Sequence, residues 1–202
     1  MALGDVYIDE ADLKERLKID DDADAVRLNG AVLAASRGID KFCFRQFNDA
    51  GALSARVYRP SSHCKVRIDD FSTLTGLIVK TDDDNDGVFE TTWSTSDYEC
   101  EPLNGVVDGE PGWPFWKINA VGNRIFPCYR RATLQVTARW GWTAVPTPVS
   151  EACRIVAEEM FKLRDTPFGI GGYGDFGVIR VRDNPFAARM LKDYKRDALL
   201  GA

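Results

Sequence analysis

Apolar residues recur at intervals of three and four near both ends of the chain and at intervals of two in its middle. That change of period predicts helices at the two ends and strands between them. The first helix opens at Asp9, a good N-cap, with Asp12 three residues on and Leu13 and Leu17 on one face. A second is expected over about 23–45, where Leu28, Val32, Ala35, Ile39 and Phe42 form one apolar stripe. From about residue 54 the pattern alternates. Val66 and Ile68 stand between Lys65, Arg67 and Asp69, and Leu77-Ile-Val79 follows a Thr-Gly turn. Further short strands are expected over 98–103 and 115–120. Over 133–140, Leu134, Val136, Ala138 and Trp140 face one way, while Thr133, Gln135, Thr137 and Arg139 face the other.

Helical periodicity returns at Thr147-Pro148, with Thr147 as the expected N-cap, Glu151 in the first turn, and Val149, Cys153, Val156, Met160 and Leu163 as the buried face. A glycine-rich stretch, 168–177, leads into Val178-Ile-Arg-Val181, and a final helix is expected from Asn184-Pro185 to about Leu200. The fold class is therefore α+β. Residues 1–50 and 146–202 make a small helical core, and 51–145 form a large antiparallel sheet or barrel inserted between them. No internal repeat is evident.

Composition narrows the chemistry. The 202 residues carry 26 Lys and Arg against 31 Asp and Glu, a formal charge of -5, which argues against a general nucleic-acid coat. No apolar run approaches the ~18 residues of a membrane span, and Met1-Ala-Leu-Gly-Asp-Val-Tyr lacks the cationic and apolar regions of a secretory signal, so folding in a cytoplasm is expected. The five cysteines, Cys43, Cys64, Cys100, Cys128 and Cys153, form no C-x-x-C pair and read as free thiols, mostly buried. His63 is the sole histidine and adjoins only Cys64, so neither a zinc site nor a catalytic triad is expected.

Several motifs compete with plainer readings. Asp82, Asp84 and Asp86 occupy positions 1, 3 and 5 of a calcium loop, with Gly87 at position 6, yet position 12 is Trp93 and Glu90 falls at position 9. The plainer reading is a solvated hairpin tip turned by Asp-Gly. Gly169-Ile-Gly171-Gly-Tyr-Gly174 spells G-x-G-x-x-G, but it follows a helix and leads into a strand-like run, the reverse of a phosphate-binding turn. Asp175-Phe-Gly177 repeats a kinase tripeptide without the other kinase motifs. Phe168, Tyr173 and Phe176 among glycines suit either a contact segment that orders against a partner or an ordinary surface loop. In the last helix, Arg189, Lys192 and Arg196 share one face and Phe186, Met190 and Tyr194 another. That face is either a docking surface or a solvated one with Asp193 and Asp197 as local partners. Trp113, Trp116, Trp140 and Trp142 read as sheet core rather than as a stacking platform for bases or sugars.

The opening Ala11-Asp-Leu-Lys14, then Ala34-Ala-Ser36, Ile39-Asp40, Cys43, Arg45 and Phe47, resembles the N-terminal helices of the tailed-bacteriophage head-to-tail connector family, also called head-completion or adaptor proteins. The likeness continues through 82–93, Asp97-Tyr98, Pro102, Arg139-Trp-Gly-Trp142, Val145-Pro146 and Pro148, to a helix ending Lys162-Leu-Arg-Asp165. The resemblance implies a non-enzymatic virion protein without cofactor, located in the neck between head and tail and assembled in the host cytoplasm. It implies a homo-oligomeric ring of twelve copies that docks on the portal protein and offers a surface to the next neck, stopper or tail protein. Double-stranded DNA would pass through its channel without tight or sequence-specific binding, and no membrane is involved. The segment after about Asp165 would engage the portal or a neighbouring subunit, with Phe168, Tyr173, Phe176, Arg189, Lys192, Tyr194 and Arg196 as the contact residues. Two rivals remain open from the residues alone: a calcium-stabilised β-rich binding module without catalytic activity, and a small enzyme using His63 or Cys64.

Overall fold

The structure, a computed structural model, describes residues 4–162 and 184–196. The described residues divide into two compact units, one of helices built from 4–47, 145–162 and 184–196, the other of strands built from 48–144. Its α+β class is the one expected from the changing hydrophobic period.

In the helical unit, α1 (Glu10–Leu17) starts where Asp9 accepts a hydrogen bond from the Asp12 N–H at 2.8 Å. It ends at Lys18, whose left-handed backbone (φ 56°) lets its N–H reach back to the last carbonyls. The second helix, α2, spans Ala25–Cys43, two residues shorter at each end than the apolar stripe predicts. Phe44 stops it by adopting φ 55°. Leu28, Val32, Ala35, Ser36, Ile39 and Cys43 are its buried side, and Phe42 falls outside that set. The third helix, α3 (Thr147–Lys162), turns Val149, Ala152, Cys153, Val156 and Ala157 inward. Met160 is only half-buried, and Leu163 lies outside the described residues.

Two local expectations for α3 fail. The Pro146 carbonyl already accepts from the N–H groups of Val149 and Ser150, at 2.9 and 3.1 Å, so Thr147 sits inside the first turn instead of capping it. Glu151 therefore lies beyond that turn and pairs with Arg16 of α1 at 2.8 Å and with Arg154 at 3.2 Å. Where α2 meets α3 the residues are small. The Ser36 hydroxyl donates to the Val32 carbonyl at 2.8 Å, accepts from the Tyr7 N–H at 3.1 Å, and lies 3.4 Å from Cys153 Sγ. That buried hydroxyl is fully partnered, as a polar group in a dry core must be.

The strand unit is a curled antiparallel sheet with a separate two-stranded ribbon. Its strands are β1 (Asp49–Tyr58), β2 (Lys65–Phe71), β3 (Ile78–Thr81), β4 (Thr91–Thr92), β5 (Tyr98–Glu101), β8 (Phe115–Ala120) and β9 (Leu134–Gly141), while β6 (Val106–Val107) and β7 (Glu110–Pro111) form the ribbon. The order is β4-β3-β9-β2-β8-β5, with β1 on the other side of β9. The alternation read over 133–140 holds for the strand itself: Leu134, Val136, Ala138 and Trp140 are fully buried, and Gln135, Thr137 and Arg139 are half-exposed. Thr133 departs from it, because the residue is buried and its hydroxyl donates to the Pro127 carbonyl.

Aromatic rings fill the sheet's core. Trp93 stacks on Phe126 with centroids 4.7 Å apart, and Phe71 meets Trp140 edge-on at 6.3 Å. Of the four tryptophans expected in the sheet core, Trp140 is there and Trp142 is buried, whereas Trp113, 5.1 Å from Trp142 and 6.2 Å from Trp116, is half-buried like Trp116. One close crossing fixes where β1 and β9 meet. Gly141 has φ +95°, and a Cβ there would stand 1.7 Å from the Asn48 carbonyl oxygen. Only glycine fits.

Candidate partner-binding surfaces

The C-terminal contact residues inferred from sequence divide three ways. Phe168, Tyr173 and Phe176 lie outside the described residues, as do both glycine-rich motifs. The rest belong to α4 (Pro185–Met190) and the turns after it. Asn184 caps this helix by accepting from the Phe186 and Ala187 N–H groups at 3.0 and 2.9 Å, and Pro185 supplies a preset first residue. The helix stops at Met190 rather than continuing to Leu200. Successive turns follow, Tyr194 N–H to Leu191 O and Lys195 N–H to Lys192 O, and the Arg196 N–H then donates to Cys43 O at 2.9 Å.

That anchoring sets the phase of α4 differently from the expected stripe. Ala187 and Leu191, four apart, face inward, while Phe186 and Met190 remain 71% and 37% exposed. Tyr194 is instead committed to the core, edge-on to Phe47 at 5.9 Å. Arg189 and Lys192 are exposed and make no ion pair among the described residues. What this end of the helical unit presents is therefore a pair of bare apolar side chains with two unpaired cations beside them. Phe186 and Met190, which the sequence places on the apolar face of the helix, are thus the apolar residues left exposed. The phase is set by distant anchoring, with Leu191 in the interior and the Arg196 N–H on Cys43 O, which local spacing does not reveal.

In the strand unit, the acidic motif is a nine-residue loop between β3 and β4, not a tight Asp-Gly hairpin. Carboxylate oxygens of Asp82, Asp84, Asp86 and Glu90 all lie within 4.8 Å of one another, so these four could hold a hard cation. Each is already engaged. Buried Asp82 accepts from the Asp86 N–H at 3.1 Å and the Gly87 N–H at 2.8 Å, Asp86 from Val88, and Glu90 from Asp83. Arg131 donates to the Asp86 carbonyl at 2.8 Å, bringing a positive charge to the loop.

Near this loop a cavity of about 310 Å³ is lined by His63, Asp83, Trp93, Arg124, Cys128 and Tyr129, among others. His63 Nδ1 meets the Phe126 carbonyl at 2.9 Å, a backbone group rather than a carboxylate or a nucleophile. Arg124 is tied to Asp97 at 3.2 Å. Of the thiols, Cys43, Cys100 and Cys153 are buried, Cys128 is partly buried, and Cys64 is exposed. Burial pushes Cys43 and Cys100 up to about 12 and Cys153 up to about 11, which leaves them protonated and unreactive at neutral pH.

A further surface drew no attention in the sequence. Leu53 and Val57 on β1, Leu74 between β2 and β3, and Ile78 on β3 are 51%, 55%, 53% and 43% exposed. Ala55, Thr137 and Ile78 occupy one cross-strand row, and Leu53 lies against Gly76, so Leu53, Ala55, Val57 and Ile78 share one outer face. Singly exposed apolar residues are ordinary, whereas a contiguous set is a contact signature.

The architecture has counterparts among phage-like particles. The chain is similar to one in the neck of an empty gene transfer agent particle computed with C6 symmetry, at 17% identity and a TM-score of 0.56, covering 97% of this chain and 93% of that one. A chain of the native gene transfer agent virion is similar at 15% identity and a TM-score of 0.54, with the same coverage. A third, in the native neck computed with C12 symmetry, is matched at 15% identity and a TM-score of 0.51 over 100% of this chain and 99% of that one. No protein-family profile and no curated protein matches the chain. At this identity the likeness is one of fold, and it agrees with the connector resemblance read from the sequence.

Proposed function

We propose that the chain is a structural, non-enzymatic subunit of a virion neck, a head-to-tail connector. The observation that carries this reading is the fold likeness to chains of gene transfer agent necks over nearly the full length of both partners. In the same reading the chain forms a ring of twelve, docks on the portal, extends the DNA channel and receives the next neck, stopper or tail protein. The helices of 1–50 and 146–202 are its connector core, and 51–145 is a β-rich insertion. Exposed Phe186 and Met190 beside unpaired Arg189 and Lys192 suit an apolar portal groove with an acidic rim. A charge of -5 suits a channel that lets DNA pass, since a wall that bound phosphates tightly would hold it.

The alternative of a calcium-stabilised binding module rests on the convergence of Asp82, Asp84, Asp86 and Glu90. Against it, backbone N–H groups and Arg131 already close that loop. Light scattering of the full chain, alone and mixed with portal protein, tests the connector reading. A species near twelve times 22.5 kDa, or one bound to portal, is expected. A chain that stays monomeric and never binds portal overturns the reading.

A further inference from the structure

Helix α2 is buried on one side only. Its opposite side carries Val26, Gly30, Leu33, Arg37 and Lys41, which recur at intervals of three and four and so share one stripe, and Phe44 continues it past the helix end. Val26, Leu33 and Phe44 are 87%, 48% and 51% exposed, and a Cβ at Gly30 would meet nothing within 4 Å. Large apolar side chains aligned along about 28 Å of helix exceed the scattered exposure that needs no explanation. The two ends of the stripe differ in charge. At its start, Lys14 pairs with Asp22 and Arg27 with Asp24, which leaves Asp20 and Asp21 exposed without an ion pair among the described residues. At its finish, Lys41 is exposed without one, and Lys195 lies over the Phe42 ring at 5.2 Å. One opposite charge stands at each end, Lys18 and Asp193, and is outnumbered.

We propose that this stripe is the contact between two copies of the free chain, packed with their α2 helices antiparallel about Leu33. The inference goes beyond the connector reading and does not rest on it. A face that is acidic at one end and basic at the other is complementary to itself under a twofold rotation, the commonest symmetry of small oligomers. Antiparallel packing sets Asp20 and Asp21 of one copy toward Lys41 and Lys195 of the other, whereas parallel packing would bring like charges together. It places Leu33 against its own counterpart and Val26 beside the aliphatic stem of Lys41, and Gly30 leaves room for the second backbone to come close. A different protein would have to match both ends by coincidence, whereas a second copy matches them by symmetry. The contact is a single helix face, so the pair is of the small, reversible class, and its dissociation frees the chain for assembly.

Sedimentation of the full chain between about 10 μM and 1 mM should show the mass rising from one copy toward two. Asp20→Lys with Asp21→Lys should weaken pairing about tenfold, as should Lys41→Asp with Lys195→Asp, and all four changes in one chain should restore it. Cross-linking in a Cys64→Ser background, which removes the exposed thiol, reads the register. Leu33→Cys should bond to itself across the pair, whereas Val26→Cys should bond only to Lys41→Cys when the two chains are mixed. These cysteine exchanges lie on the exposed face, so they give the answer even where a charge-reversed chain fails to fold. A chain that stays monomeric throughout that range, or Val26→Cys bonding to itself, overturns the inference. A chain that forms rings without any such pair overturns it too and leaves the connector reading standing.

Discussion

The two units solve the burial problem by opposite means. The helical unit brings α2 and α3 together over small residues, Ala35, Ser36, Ala152, Cys153 and Ala157, all fully buried, and gains its stability from close backbone approach. The strand unit fills its interior with large rings, Phe71, Trp93, Phe126 and Trp140, and makes its tightest backbone approach where Gly141 crosses Asn48. The first core adds Leu28, Ile39 and Phe47 to these small residues, whereas the second is mostly large rings pinned at a tight crossing. Damage should therefore spread differently in the two.

The largest effect is expected at that crossing. Gly141→Ala forces a Cβ to within 1.7 Å of a carbonyl oxygen at a left-handed backbone position, and should cost the strand unit more than about 4 kcal/mol. Near-ultraviolet circular dichroism should lose the tryptophan signal, while exchange protection persists in α2 and α3. Parallel loss of both would show that the units share one folding transition.

A smaller and opposite contrast is expected with pH. The Arg139 guanidinium hydrogen-bonded to Asp49 in the strand unit, helped by the Gly51 N–H, holds that carboxyl below its usual range. Its stabilisation is present above the unfolded carboxylate value of about 3.9 and is lost as pH falls through the depressed folded value. In the helical unit burial raises Asp40, although the Tyr7 hydroxyl and Arg37 oppose the shift. Folding then favours its protonated form, so as pH rises from about 3.9 through the raised value, stability falls. Glu158 in the helical unit is also held low, by Lys162 and Arg16, so acid titration should weaken both units, with Asp40 opposing the loss only in the helical one. Asp49→Asn should flatten the strand unit's acid limb and cost on the order of 1 kcal/mol at neutral pH. An acid limb unchanged by Asp49→Asn would assign it to other carboxylates, Glu101 first, which Lys117 and Asn119 hold low.

The smallest effect should come from calcium. Because the acidic loop closes with its own amides, millimolar calcium should move the strand unit's melting midpoint by less than about 1 °C. A site filled at 100 times its dissociation constant would add about 2.7 kcal/mol, so a rise of several degrees that Asp84→Ala abolishes would establish the calcium reading.

What the sequence made legible was local. Asp9 and Asn184 act as caps because capping involves residues two and three positions away, and the alternation of β9 survives because one sheet face is buried along its whole length. Less legible were features set by distant partners. The phase of α4 follows from where Leu191 and Arg196 are anchored, Gly141 is required by Asn48 ninety-three positions earlier, and the loop over 82–90 opens because Asp82 is drawn into the interior. The exposed face of β1 was hidden for a related reason. Leu53 and Val57 look like core residues until the partners of β1 are known.

Strand β1 begins where β9 ends, since Asp49 and Gly141 are direct partners in the ladder. The strand unit thus begins and ends its ladder at Asp49 and Gly141, two points about 5 Å apart, the Cα spacing of paired strands. A turn of a few residues could span that gap. The two ends of the strand unit are thus held together within the unit itself, so its own folding joins Asn48 and Gly141 across all the chain between them.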